Sequence, residues 1–178
     1  MEIQNIDTFL PYLETIRERT MRVLKAIPPK KLEWRHAEDV FSPGDLARHI
    51  AAVERYTFTE NALGRPSRYS GCSRDLADGL DNVIAFMERM HREATDQLKT
   101  LTPEMLAGKG VSPTGVPITA WKLLRAMVEH EIHHRGEMYV YLALLGVPRP
   151  PLYGVTELEL KSRSALPLPG AESSDTVR

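Results

Sequence analysis

Four stretches of this chain carry large apolar residues at a helical period, and proline or glycine closes each of them. That punctuation restricts the fold more than any other feature. In the first stretch, from about Asn5 to Ile27, Ile6, Phe9, Leu10, Leu13, Ile16, Val23, Leu24 and Ile27 fall on one stripe. Pro28-Pro29 stops it, because neither proline can donate an amide and the second restricts the residue before it. The second stretch opens on Ser42-Pro43-Gly44-Asp45: a hydroxyl cap, proline at the first helical position and an acid at the third. It runs to about Leu63 and ends at Gly64-Arg65-Pro66. The third, from about Ser73 to Leu101, turns Leu80, Val83, Ile84, Met87, Met90, Ala94 and Leu98 inward, with Gly79 weakening its start. Thr102-Pro103-Glu104 predicts a short extra turn, and the glycines and prolines between Ala107 and Pro117 predict a loop with a small hairpin. The fourth stretch runs from about Ile118 to Leu145 and stops at Gly146. Together they predict an all-α fold, a four-helix bundle with long connections, over residues 1–160, and a loose tail over 161–178.

The charge balance excludes several partners. Basic residues number 23 and acidic residues 24, for a net charge of -1, so no basic surplus is available to hold nucleic acid. The longest apolar run, Met138 to Val147, is half a membrane span, and the first residues lack a basic segment followed by an apolar one. Cys72 is the single cysteine, which rules out an intrachain disulfide and a thiolate cluster. The expectation is a cytoplasmic protein with a small-molecule partner.

The informative chemistry lies in the six histidines. On the fourth helix, Ala120, Leu123, Met127, Met138, Tyr141 and Leu145 form the inward stripe; His134 lies within it, His130 at its edge and His133 off it. Residues four apart on a helix have β-carbons about 6 Å apart, so the rings of His130 and His134 can reach one ion. On the second helix His49 falls among the inward Leu46, Ile50, Val53 and Thr57, while Arg48 and Arg55 face outward. His91 also lies on an inward stripe, as a pocket residue or a bonded core histidine in preference to a ligand, and His36 sits in a loop. A single histidine on an apolar face is usually a satisfied core residue. Three of them, two spaced at four, leave many ring nitrogens to satisfy, and a shared metal satisfies one on each ring.

His130-Glu131-Ile132-His133-His134 also fits the short zinc-protease pattern. Its longer form requires glycine and histidine where Glu137 and Val140 stand, and no strand-rich half exists to hold a peptide, so peptidase is set aside. Glu131 remains a candidate catalytic base on water, or an outer partner of a ligand. A second apolar flank on the fourth helix, Val128, Ile132 and Tyr139, points to a central position or a homodimer interface.

Three segments resemble the DinB family: Ser42-Pro43-Gly44-Asp45-Leu46-Ala47-Arg48-His49-Ile50, His130-Glu131-Ile132-His133-His134-Arg135-Gly136-Glu137-Met138, and Leu145-Gly146-Val147-Pro148 leading to Tyr153-Gly154. The resemblance implies a bundle in which His49, His130 and His134 bind nickel, zinc or a similar ion, and it favours His49 over His91. It also implies a homodimer and, from several relatives, thiol-dependent transferase or isomerase activity with a low-molecular-weight thiol. Glu137 departs from the glutamine of many relatives, and the segment after Gly154 has no family pattern.

Three imidazoles leave coordination positions open, as at a catalytic site, and an open divalent ion lowers the pKa of a bound thiol or water. The leading expectation is metal-dependent, thiol-dependent transfer to a small electrophile, with Arg17, Arg48 or Arg125 as holders of an anionic group. Metal-dependent hydrolysis with Glu131 as base is the first alternative. A non-catalytic, metal-stapled binding or stress-response protein is the second.

Overall fold

The computed structural model describes residues 2–164. Helix α1 (Ile6–Ala26) starts where the Asn5 side chain accepts from the Asp7 amide, and it ends against Pro28. Helix α2 (Pro43–Val53) begins in a reciprocal capping box, with Ser42 Oγ accepting from Asp45 N at 3.0 Å and Asp45 Oδ2 from Ser42 N at 2.9 Å. It continues without a break through a π-helical turn (Glu54–Phe58) into α3 (Thr59–Ala62). Helix α4 (Leu80–Leu98), the short α5 (Pro103–Ala107) and α6 (Ala120–Leu144) follow. The hairpin of β1 (Lys109–Val111) and β2 (Pro117–Thr119) is antiparallel, with Gly110 opposite Ile118. A β-carbon at Gly110 would overlap the Asn61 carbonyl, so glycine lets the hairpin lie directly on α3.

The α2–α3 rod packs on α4 and α6, and α1 packs on the same two helices from the other side, giving a four-helix bundle. Its core has two halves. One gathers Leu24, Ile27, Leu46, Ile50, Met87, Met138 and Leu142; the other gathers Phe9, Leu13, Ile16, Leu98, Leu123 and Met127. Where they meet, each of the four rods contributes a polar side chain: Arg17, Glu54, His91 and Glu131, all buried. Among the described residues no helix is long and apolar enough to cross a membrane.

Three expectations need correction. The third helix starts at Leu80 instead of Ser73, because Gly79 takes φ +82°, a conformation that interrupts a helix, and only a 3-10 turn (Arg74–Leu76) precedes it. The loose tail drawn from residue 161 begins inside a helix, α7 (Glu157–Ser164), which is exposed along its length; residues 165–178 lie outside the described part. Arg48 and Arg55 do not face outward; both are buried. Arg48 donates to Cys72 O at 2.9 Å, Ala77 O at 3.1 Å, both Glu33 oxygens at 2.8 and 2.9 Å and Asp45 Oδ1 at 2.8 Å, so the guanidinium is saturated. Arg55 pairs with Glu60 at 2.6 Å. A helical wheel counts arginine as polar and outward; it does not see the carboxylates and loop carbonyls that other segments bring to it.

Candidate metal centre

His49 lies in the second turn of α2, whose origin the Ser42–Asp45 box sets, and His130 and His134 lie one turn apart on α6. The structure brings the three together: one nitrogen from each lies within 4.8 Å of the others. The Nε2 atoms of His49 and His130 are 3.1 Å apart, and the ring centres of His134 lie 4.8 Å from His49 and 4.5 Å from His130. Zinc–nitrogen bonds of about 2.0–2.1 Å in a tetrahedron place ligand nitrogens about 3.4 Å apart, so the constellation needs little movement to close on one ion.

The remaining nitrogens on two rings are already held. Tyr69 Oη lies 2.8 Å from His49 Nδ1, and Glu137 Oε2 lies 2.9 Å from His134 Nδ1. With Nδ1–H donating to these oxygens, both rings turn a lone-pair Nε2 to the centre, the tautomer a metal requires. Burial raises the Tyr69 phenol above its ordinary pKa, so it stays protonated. Phe41 stacks 5.3 Å from His49 and Phe58 5.5 Å from His130, forming an apolar collar.

Electrostatics points the same way. Burial, then the neighbouring His134, pushes His49 down to about 4. Burial, then His134 and His49, pushes His130 down to about 3. Both are neutral at physiological pH and free of a competing proton. By nitrogen convergence, tautomer and charge, these residues fit a divalent ion.

A cleft of about 470 Å³ opens beside His134, lined by His36, Phe41, Glu137, Val140, Tyr141 and Leu144 among others. His36 sits at its rim with Nδ1 3.2 Å from the Tyr141 hydroxyl. His133 is exposed and lies 3.1 Å from the second Glu137 oxygen.

Glu131 does not join the histidines. Its carboxylate is buried on the other side of α6, 3.1 Å from Arg17 Nη2, and Arg17 also pairs with Glu54. Burial, only partly opposed by Arg17, raises the Glu131 pKa and favours its protonated form. His91 bridges Glu54, 2.7 Å from Nδ1, and Glu14, 2.9 Å from Nε2. Burial works against its charged form, yet the bond and charge of Glu54 outweigh it and hold His91 above its ordinary value. Neither residue lies among the three converging histidines. The arginines considered for an anionic group are elsewhere too: Arg17 and Arg48 are internally paired, and Arg125 lies 3.2 Å from Glu129.

Tyr69 and the orienting role of Glu137 were missing from the sequence reading. Glu137 was visible, three residues after His134 on the same helical face. Tyr69 belongs to a loop, and no period places it.

The profile of the DinB family matches residues 1–167, and the chain belongs to that family. Its relatives include the Bacillus subtilis protein YjoA, 24% identical over 145 residues that cover 77% of this chain and 88% of YjoA. A DinB-like protein from Bacillus cereus has a similar fold, with a TM-score of 0.70 at 19% identity, over 84% of this chain and 99% of its own. YfiT from Bacillus subtilis, described as a probable metal-dependent hydrolase with an unusual four-helix bundle topology, superposes with a TM-score of 0.65 at 17% identity, over 82% of this chain and 90% of its own.

Proposed function

We infer that this protein is a metal-dependent enzyme for a small electrophilic molecule, with one zinc or nickel ion held by His49, His130 and His134. The observation that carries this reading is the convergence of three imidazoles, two of them held neutral, at the edge of an open cleft. Such an ion would supply Lewis acidity that lowers the pKa of a thiol or water bound to it. The chain's own residues do the rest: Tyr69 and Glu137 set the ring tautomers, Phe41 and Phe58 limit water, and the cleft orients the second reactant.

Thiol-dependent transfer is the better reading of the reaction. Glu131 is turned to Arg17 and Glu137 is bonded to His134 Nδ1, so neither is placed as a base on water at the histidine nitrogens, whereas a thiol of pKa near 8.5 needs less help to ionise. Metal-dependent hydrolysis is the second reading, favoured by the description of YfiT. Incubation of metal-loaded protein with an activated halide or epoxide tests both. Consumption that requires a low-molecular-weight thiol and disappears in His130→Ala supports transfer; thiol-independent turnover supports hydrolysis; no turnover with any pair removes the enzymatic reading.

A further inference from the structure

Arg48, the residue before His49 on α2, is fully buried and uses every guanidinium hydrogen inside the fold. Three of the five bonds end on carboxylates close by: both Glu33 oxygens, at 2.8 and 2.9 Å, and Asp45 Oδ1, at 2.8 Å. That end of the clamp is itself fixed. Ser42 Oγ donates to Glu33 Oε2 at 3.1 Å, and a β-carbon on Gly44 would stand 2.5 Å from Glu33 Oε1, so glycine makes the room. The other two bonds reach away from the helix, from Nε to Cys72 O at 2.9 Å and from Nη1 to Ala77 O at 3.1 Å.

Cys72 and Ala77 belong to the segment between α3 and α4 that carries Tyr69, whose hydroxyl lies 2.8 Å from His49 Nδ1. Before Tyr69 that segment is tied down where Arg68 N donates to Tyr56 O at 2.8 Å. After it, among the described residues, the hydrogen bonds that join residues 70–77 to another segment are the two from Arg48. The rest are local, such as Leu76 N to Ser73 O and Ala77 N to Arg74 O. Tyr69 is held between two anchors, and one of them is the side chain next to the histidine it orients.

We propose that Arg48 is a positioning residue of the metal centre: by holding the Cys72 and Ala77 carbonyls it fixes Tyr69 against His49 Nδ1, and so keeps the His49 Nε2 lone pair turned to the other two histidines. The proposal rests on the metal-centre reading for its consequence, the affinity for the ion. Its geometric part concerns the metal-free chain alone. His134 provides the contrast, because its Nδ1 is held by Glu137 from the same helix, with no loop involved. Loss of the clamp reaches His49 and spares His134. The fork matters as much as the charge. A lysine ammonium offers three donors from one point, so it can stay paired with the carboxylates but cannot span them and both carbonyls.

Two variants test the idea. Arg48→Lys keeps a cation for the buried carboxylates while releasing the loop. Glu33→Gln leaves Arg48 in place and loosens the fixed end of its clamp, at a carboxylate that is 29% exposed. Imidazole nitrogen-15 shifts of the metal-free protein at neutral pH report which ring nitrogen carries the proton. Wild type is expected to show Nδ1–H on His49 and His134. In Arg48→Lys His49 becomes a mixture of tautomers and His134 is unchanged; Glu33→Gln moves His49 the same way by less. Zinc affinity falls in Arg48→Lys by no more than the about 10- to 100-fold of losing an outer partner, and Arg48→Lys adds nothing to the loss in Tyr69→Phe. His49 that keeps Nδ1–H in both variants, His134 that changes together with His49, or affinity losses that add in full overturns the proposal. Wild-type protein that takes up no zinc overturns the metal-centre reading instead, and the tautomers of the metal-free chain still decide this one.

Discussion

The Nε2 atoms of His49 and His130 face each other at 3.1 Å, one carried by α2 and the other by α6. Nothing in the sequence between them, 81 residues apart, dictates that meeting. It follows from two helices packed at a level where each turns a histidine inward. Without an ion, one nitrogen must donate to the other. With an ion, both are acceptors toward it.

The oxygens behind the candidate ligands should have a measurable role. Glu137→Ala frees the His134 ring, and metal affinity should fall about 10- to 100-fold, the usual cost of losing an outer partner. Glu137→Gln keeps an acceptor for Nδ1–H and should lose much less. Tyr69→Phe removes the acceptor from His49 and should resemble Glu137→Ala. Competition for zinc against a chelating dye measures all three; equal affinities throughout would contradict the tautomer argument.

Stability of the metal-free protein should depend on pH in two opposite directions. His49 and His130 have folded values of about 4 and about 3, below the unfolded value near 6.5. As pH falls below 6.5 the unfolded chain binds protons that the folded chain refuses, so stability falls through that window. His91 is raised, so its contribution is present below 6.5 and is lost as pH rises through its folded value. Urea unfolding from pH 4 to 8 should show a shallower acid limb in His130→Gln and a flatter alkaline limb in His91→Gln. Identical profiles would contradict both assignments.

The polar layer between the two core halves should respond unequally. Arg17→Met leaves the buried Glu54 with His91 as its one remaining partner, and removal of one partner of a buried pair costs about 3–5 kcal/mol, of which His91 should recover a part. Glu131→Gln replaces a carboxyl whose protonated form the site already favours, and should change stability little. Metal content should stay at the wild-type level in Glu131→Gln. A loss of metal there would restore Glu131 to the centre.

The helices and their stops were legible because apolar period and Pro/Gly punctuation are local. The Ser42–Asp45 box and the Gly146 stop, with φ +66°, stand where the residues placed them. Inward histidines were legible for the same reason, since His49 and His134 sit among apolar residues of fixed spacing. Charged residues were not. Arg48 and Arg55 read as solvent-facing, yet both are buried, and each meets a carboxylate from another segment, Glu33 for Arg48 and Glu93 for Arg55. Glu131 shows the limit most clearly. It is adjacent to a candidate ligand, yet neighbours on a helix point about 100° apart, and Arg17 on α1 decides where its carboxylate goes.

Zinc titration of the metal-free chain, read by calorimetry beside His49→Ala, His130→Ala and His134→Ala, tests the central claim most directly. One ion per chain in the wild type, with affinity reduced at least 100-fold in each variant, is the predicted result. Binding that survives all three substitutions, or wild-type protein that takes up no zinc or nickel, would contradict it.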